Sequence, residues 1–529
     1  MKGSEVFMKQ LYVGGPILTM EEPRYAEAVL TENGRILAVG SREALEGPDC
    51  QVVELHGSAL LPGFVDPHSH FFQVALSLLQ VSLDGLDTPE KMKEKISAFV
   101  RENKIAPGTW VVARDYDNNI MPGLQHPTLE ELDGFCPENP LIIHHKSGHM
   151  GLFNSKGLDF LGVTAQTPCP PGGKIEQKDG RLTGYMEENA FFTYMKKIPM
   201  QGAEQLLRSF AGGQQVYASY GITTVQDGMV AKEMLPLYRL LLQRNEVGLD
   251  VILYAGLDAY DDTVKLLQEF PENRHISCGG LKMFLDGSPQ GRTAWMRSPY
   301  EGTPDYSGYG TMTDEQVENA FRQAAKAQVQ IIAHCNGDAA AEQFLRCLQK
   351  VEGEYPILRR LHPVIIHGQL MGRDQVKRAA ELGAMISFFV AHTYHWGDVH
   401  IRNFGMERAS RISPARSAME AGVNVTFHQD APVIQPDMLE TIWCAACRQT
   451  KNGVALAEDE RVSTFQALQA VTVNAAKQYG LEKSIGSIAP GKKADFVILD
   501  KDPLTVRPQE LRSVQVLQTI KEGNVIYTK

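Results

Sequence analysis

No uninterrupted apolar run in the 529-residue chain reaches the ~18 residues that a membrane-crossing helix needs, which argues against a transmembrane segment. Basic runs and basic-aromatic stripes are also lacking. With a formal net charge of −11, nucleic acid and anionic membrane surfaces are poor partners. The opening MKGSEVFMKQLYVGG lacks the apolar stretch of a signal peptide, so the expected location is the cytoplasm. A paired cysteine framework is missing too. Of eight scattered cysteines, only Cys444 and Cys447 form a C-x-x-C pair. That pair lies in a segment that reads as helix, and no second pair follows, so helix packing is preferred to a separate zinc or redox site. What is present is an ordinary globular composition, 43% hydrophobic and 22% charged. The length suits several units, or one large α/β barrel with additions.

Both ends read as short strands between turns, as in LYVGGPILTM and AEAVLTENGRILAVG early, and KKADFVILDKDP late. Residues 1–60 and 476–529 are therefore expected to form one small β-sandwich domain. The middle, 61–475, alternates apolar runs with helical patterns, the mark of a βα repeat. Eight strands are expected at 59–66, 221–227, 250–256, 279–287, 329–335, 363–368, 384–392 and 424–430. Helices such as 313–327 and 373–382 fall between them. Eight βα units favour a closed TIM-like (β/α)8 barrel. About 150 residues separate the first two strands, so 71–220 is expected to hold a lid-like insertion over the active site.

Polar residues cluster at the carboxyl ends of these strands. His68 and His70 follow the first, Lys282 sits in the fourth, His334 ends the fifth, His367 the sixth and Asp430 the eighth. Two histidines two apart on extended chain project to one side. Imidazole and carboxylate together suit zinc and its transition-metal neighbours. A lone histidine at a strand end is more often structural than a ligand. Four histidines and an aspartate converging on one barrel mouth favour a divalent metal, zinc foremost, as one ion or two.

Seven segments carry a resemblance: LPGFVDPHSH (61–70), SGHMGLFNS (147–155), GLKMFLDGSPQGRTA (280–294), IIAHCNGDAA (331–340), IIHGQ (365–369), FHQDAPV (427–433) and SIGSIAPGKKADFVILD (484–500). In this order the chain resembles the amidohydrolase superfamily, in its YtcJ-like branch with N-substituted formamide deformylase. The resemblance implies that His68, His70 and Asp430 hold the more buried ion and that His334 and His367 hold a second. It also implies that Lys282 bridges them as a carbamate. A protonated lysine, with a reference pKa of ~10.4, cannot ligate a cation, whereas a carbamate can. An unmodified lysine, paired with Asp286 or beside a single metal, is the alternative. The sequence departs from the common pattern at Cys335-Asn336-Gly337-Asp338 and at Gln429, beside the ligands rather than at them.

The expected chemistry is hydrolysis. A bound divalent ion brings the pKa of water toward ~7, and Asp430 acts as general base and then as acid to the leaving nitrogen. His149, Asn154, Trp110, Asp115, Asp286, Arg292, His392, His395 and Trp396 are candidates for substrate contact, each with a plain packing role as the alternative. The expected function is hydrolysis of a non-peptide C–N bond, of N-acyl or formamide type, in a small molecule. The alternatives are ester or cyclic-amide hydrolysis, deamination, or a non-catalytic metal-binding regulator. Retention of Asp430 with every ligand speaks against the regulator. Homodimers are common in the family resembled.

Overall fold

In the computed structural model, which describes residues 9–145, 150–199 and 202–529, the expected first barrel strand is split. Ala59–Pro62 pairs in a sheet built from the chain ends, and only Phe64–Val65 enters the parallel sheet. The break falls at Gly63. A Cβ there would meet the Thr223 side chain at 2.5 Å, and its N–H donates to the Asp495 carbonyl at 2.9 Å.

The parallel sheet has eight strands in chain order: β1 (Phe64–Val65), β2 (Ile222–Val230), β3 (Asp250–Gly256), β4 (Ile276–Phe284), β5 (Gln330–Cys335), β6 (Val364–His367), β7 (Met385–Phe388) and β8 (Val425–Phe427). Strands 3, 5 and 6 fall almost where periodicity places them, and β4 begins three residues early. The run 384–392 is corrected. The strand ends at Phe388, and the N–H groups of His392, Thr393 and Tyr394 turn back onto the carbonyls of Phe389, Val390 and Ala391. A short helix, His392–His395, results. The run is apolar throughout, so periodicity does not mark where extended chain gives way to helix. Between β4 and β5, helix Asp314–Ala327 starts at a capping box of Thr313 and Gln316.

No ladder joins β8 to β1, yet the sheet curls so that the His70 N–H donates to the Ala431 carbonyl at 2.9 Å. Parallel register then levels the functional residues. His334 lies beside Phe284 on β4 and Ile366 on β6, and His367 lies beside Phe388.

Strands from the two ends of the chain share a second eight-stranded sheet. Its path runs from Asn524–Thr528 through Val516–Lys521, Phe496–Leu499, Ala59–Pro62, Lys9–Leu18 and Tyr25–Glu32 to Arg35–Gly40, and the eighth strand, Cys50–Glu54, pairs with Lys9–Leu18 off that path. Its apolar face includes Tyr12, Ile17, Leu60, Phe496 and Ile520. An ion network ties this sheet to β3. Lys521 Nζ lies 2.7 Å from both Asp250 and Asp495, and Lys493 Nζ lies 2.9 Å from Asp250. His275 Nδ1 sits 3.0 Å from the other Asp250 oxygen. Asp250, His275 and Glu522 have metal-like spacing, but the two ammonium groups already occupy that space.

Contacts divide the chain into two units: residues through Val74 with Ala211–Lys529, and Ala75–Phe210. The second has its own six-stranded sheet, in the order Gly173–Lys178, Arg181–Glu187, Met150–Phe153, Leu141–His145, Val111–Tyr116, Gln80–Ser82. Alternation covers both faces of this sheet. Leu141 and Ile143 join one core with Met92 and Phe135, and Ile142 joins the other with Phe153 and Phe191. No helix among the described residues is long and apolar enough to cross a membrane.

Candidate metal centre

All six residues expected as ligands come together at the carboxyl ends of the parallel strands. His68 Nε2 lies 3.4 Å and His70 Nε2 3.2 Å from Asp430 Oδ1. His367 Nε2 is 3.8 Å from Asp430 Oδ2 and 3.1 Å from His334 Nδ1. Lys282 Nζ is 3.5 Å from His68 Nε2. His68, His367 and Asp430 each offer a ligand atom, all within 4.8 Å of one another. Asp430 and His367 both have positive φ, at 57° and 76°. Such backbone costs about 1–3 kcal/mol for a residue with a Cβ and is held at sites that need it.

Outer hydrogen bonds decide which way the lone pairs face. Gln226 donates from Nε2 to the Pro67 carbonyl at 2.8 Å, so its Oε1, 2.5 Å from His68 Nδ1, must accept from that ring. Nε2 of His68 is then bare and faces Asp430. His334 Nε2 lies 3.0 Å from both the Gly287 carbonyl, which accepts only, and Asn336 Nδ2, whose amide also donates to Gly287 at 2.8 Å; with the His334 hydrogen on the carbonyl, its Nδ1 is bare toward His367. The run Ser387–His428–His367, with steps of 2.7 and 3.1 Å, can place its hydrogens toward the serine and free His367 Nε2. Burial, with Lys282 next, holds the His68 imidazole well below its usual range and His334 down to about 4. Burial and then His334 do the same to His367. Burial also brings Lys282 down to about 8. Burial pushes Asp430 up, but the edge of His70 and the rings of His367 and His68 outweigh it and hold the carboxyl well below the ordinary range.

Neutral imidazole lone pairs thus face an ionised carboxylate whose Oδ1 is buried without a well-directed donor. The bare His68 nitrogen and Asp430 Oδ1 at 3.4 Å, and the bare nitrogens of His334 and His367 at 3.1 Å, repel one another, and a cation among them relieves that repulsion. This donor set of nitrogen and carboxylate oxygen therefore fits a divalent transition metal. Gly228 makes room for the first ligand, since a Cβ there would sit 2.8 Å from His68 Cε1.

The remaining candidates separate. Asp286 accepts backbone N–H groups of Asn336, Gly337 and Trp295 at 2.7–3.0 Å, and burial pushes its carboxyl up to about 7. It organises the loop after β4 and lies 3.8 Å from His334. Arg292 Nε donates to Asn403 Oδ1 at 3.0 Å. His392 and Trp396 pack against Phe389, whose ring lies 6.2 Å from that of His367. His395 pairs with Glu440 at 2.7 Å. Trp110, Asp115 and Asn154 belong to the unit Ala75–Phe210. Trp110 is in its core against Phe153 and Phe160. Asp115 pairs with Arg114 and accepts from Ser82 Oγ at 2.9 Å. Asn154 caps helix Ser155–Leu161 and accepts from the Leu141 N–H at 2.8 Å. His149 lies outside the described residues. Cys444 and Cys447 are buried on helix Met438–Cys447.

Two residues escaped sequence reasoning, His428 and Gln226. The signal for the first was present, because His428-Gln429-Asp430 repeats the two-residue spacing of His68-Ser69-His70. Gln226 lies in the middle of a buried strand, Ile222–Val230, with no motif to mark it.

A parallel curled sheet with convergent histidines, a lysine and an aspartate defines a metal-dependent hydrolase scaffold. Two solved structures share the fold, uncharacterized metal-dependent hydrolases from Pyrococcus furiosus and Pyrococcus horikoshii. They give TM-scores of 0.77 and 0.78 at 23% identity, over 94% of this chain and 100% and 99% of theirs. The profile described as Amidohydrolase family matches residues 51–527, and the chain belongs to that family of hydrolases acting on carbon–nitrogen bonds. It is 27% identical to YtcJ of Bacillus subtilis (strain 168), over 99% of this chain and 100% of that one. It is 29% identical to the N-substituted formamide deformylase of Arthrobacter pascens, over 95% of both chains.

Proposed function

We propose that the protein hydrolyses a non-peptide C–N bond, of N-acyl or formamide type, in a small molecule. The observation that carries this reading is the facing of bare imidazole nitrogens and the Asp430 carboxylate, a donor set that a divalent cation satisfies. His68, His70 and Asp430 would hold one divalent ion, zinc foremost. His334 and His367 would hold a second, with Lys282 joining the two as a carbamate. The buried amine, brought down to about 8, supplies the neutral nitrogen that carbon dioxide requires. When bound, the metal supplies acidification of water and polarisation of the scissile carbonyl.

The chain's own residues do the rest. Asp430 accepts the proton of the attacking water at its carboxylate and returns it to the leaving nitrogen. Gln226 holds the His68 ring by Nδ1, and Ser387 with His428 holds His367. Phe389, His392 and Trp396 form an aromatic wall beside the centre that excludes water and orients the substrate. Within this reading the parallel sheet is a closed (β/α)8 barrel, the end strands are a β-sandwich, and the segment after β1 is an insertion. The homologue named for formamide hydrolysis supports the bond class.

The test is metal analysis of the purified protein together with Asp430→Asn on a panel of formamides, N-acyl amines, cyclic amides and esters. At least one equivalent of divalent metal is expected, with amide turnover reduced about 10²–10⁴-fold in the variant. Absence of metal, or full activity in Asp430→Asn, would sink the mechanism.

A further inference from the structure

His392 and His400 are buried, at 4% and 1% exposure, and lie outside the ligand set. They sit on successive helices, His392–His395 and Gly397–Ala409. Their rings are within 5° of parallel, with His392 Nδ1 3.0 Å from His400 Nε2. Burial, and for His392 also His400, keeps both imidazoles neutral, so one hydrogen is shared across that contact.

The other nitrogen of His400 decides which ring donates. Nδ1 is buried without a partner. Beside the ring is Phe404, at 5.9 Å, itself part of an apolar cluster with Tyr300, Leu370 and Ile412. A hydrogen on Nδ1 would be an orphaned N–H in apolar surroundings. A hydrogen on Nε2 makes the bond to His392 and leaves only a lone pair unpaired. His400 therefore donates from Nε2, and His392, accepting at Nδ1, carries its own hydrogen on Nε2. No described residue bonds that far edge. The His392 ring packs edge-on at 4.5 Å against Phe389, whose ring lies 5.4 Å from His428, and Asp430 and His428 both act on it electrostatically.

We infer that His400 is a positioning residue that locks His392 in the Nε2–H form, a fixed and uncharged hydrogen-bond donor to the substrate. The inference rests on the hydrolytic reading above and narrows its substrate. An acceptor oxygen, carbonyl or carboxylate, is required within reach of the hydrolysed bond, and an N–H or ammonium at that position is disfavoured.

The experiment uses the metal-loaded full chain labelled with 15N-histidine. Long-range proton–nitrogen spectra, assigned with His392→Gln and His400→Gln, report which nitrogen of each ring is protonated. His392 is expected to be protonated at Nε2 and bare at Nδ1, and His400 bare at Nδ1. In His400→Phe, His392 should lose this single form. KM for the amide that responds in the panel should rise about tenfold, with kcat changed less than about threefold and metal content unchanged. His400→Gln keeps an N–H donor and should restore KM. A His392 protonated at Nδ1 in the native protein, a His392 form unchanged in His400→Phe, or metal loss in that variant each overturn the inference. Failure of the Asp430 test would overturn the hydrolytic reading alone, because the protonation pattern is read without turnover.

Discussion

In His68, His334 and His367 the nitrogen that faces the candidate centre is bare because the opposite edge of the ring is occupied. For His68 the occupant is the Gln226 amide, itself oriented by the Pro67 carbonyl. Gln226→Leu removes the acceptor without adding charge and frees the ring to turn. Outer-shell changes of this kind typically cost 10–100-fold in metal affinity, and that loss is expected in competition with a chelator. Unchanged affinity would mean that the amide does not set the ring. Gly228→Ala acts from the other side, since its Cβ would press on His68 Cε1 at 2.8 Å. It should lower metal occupancy while leaving the fold intact, as read by metal content against circular dichroism.

Among the elements, β3 is joined to the terminal sheet by charge. Burial pushes the Asp250 carboxyl up, but His275 and the ammonium groups of Lys521 and Lys493 outweigh it and depress it below the ordinary ~3.9. The sign follows: a depressed folded value contributes stability that is present above ~3.9 and is lost as pH falls below it. Asp250→Asn should therefore destabilise by about 3–5 kcal/mol at pH 7. The gap to the native chain should narrow when denaturation is repeated below pH 4, and a gap of the same size there would contradict the assignment. Elements were the most legible scale in the sequence. Parallel strands buried on both faces are short apolar runs with turns between them, and β3, β5 and β6 stand where those runs stand. Legibility failed where apolar character crosses a change of backbone. Residues 59–66 read as one strand although Gly63 divides them between two sheets, and 384–392 hides a helix start. Ligands at strand ends were readable because strand ends are. Gln226 and His428 hold candidate ligands rather than being named by a motif, and their part emerges only when the folded sheet brings Gln226 to His68 and His428 to His367.

For the whole molecule, metal and fold should be coupled. A cation that binds folded ligands adds stability as its free concentration exceeds its dissociation constant. Removing metal with a chelator should abolish hydrolysis and lower the melting temperature, and a divalent metal added back should restore both. Loss of activity with an unchanged melting temperature would argue that the ligands are held equally well without the ion. The two units have separate cores, so calorimetric unfolding is expected to depart from a single two-state transition.

The split at Gly63 sets an order of events. The four residues before it pair with Phe496–Leu499, and the ligand pair His68 and His70 follows within a few residues. The earliest candidate ligands to leave a ribosome are thus anchored by a strand made more than 400 residues later, and their partner Asp430 is also late. The centre assembles only near the end of synthesis, and a nascent chain stalled just before residue 496 would carry all six candidate ligands without the strand that steadies the first two.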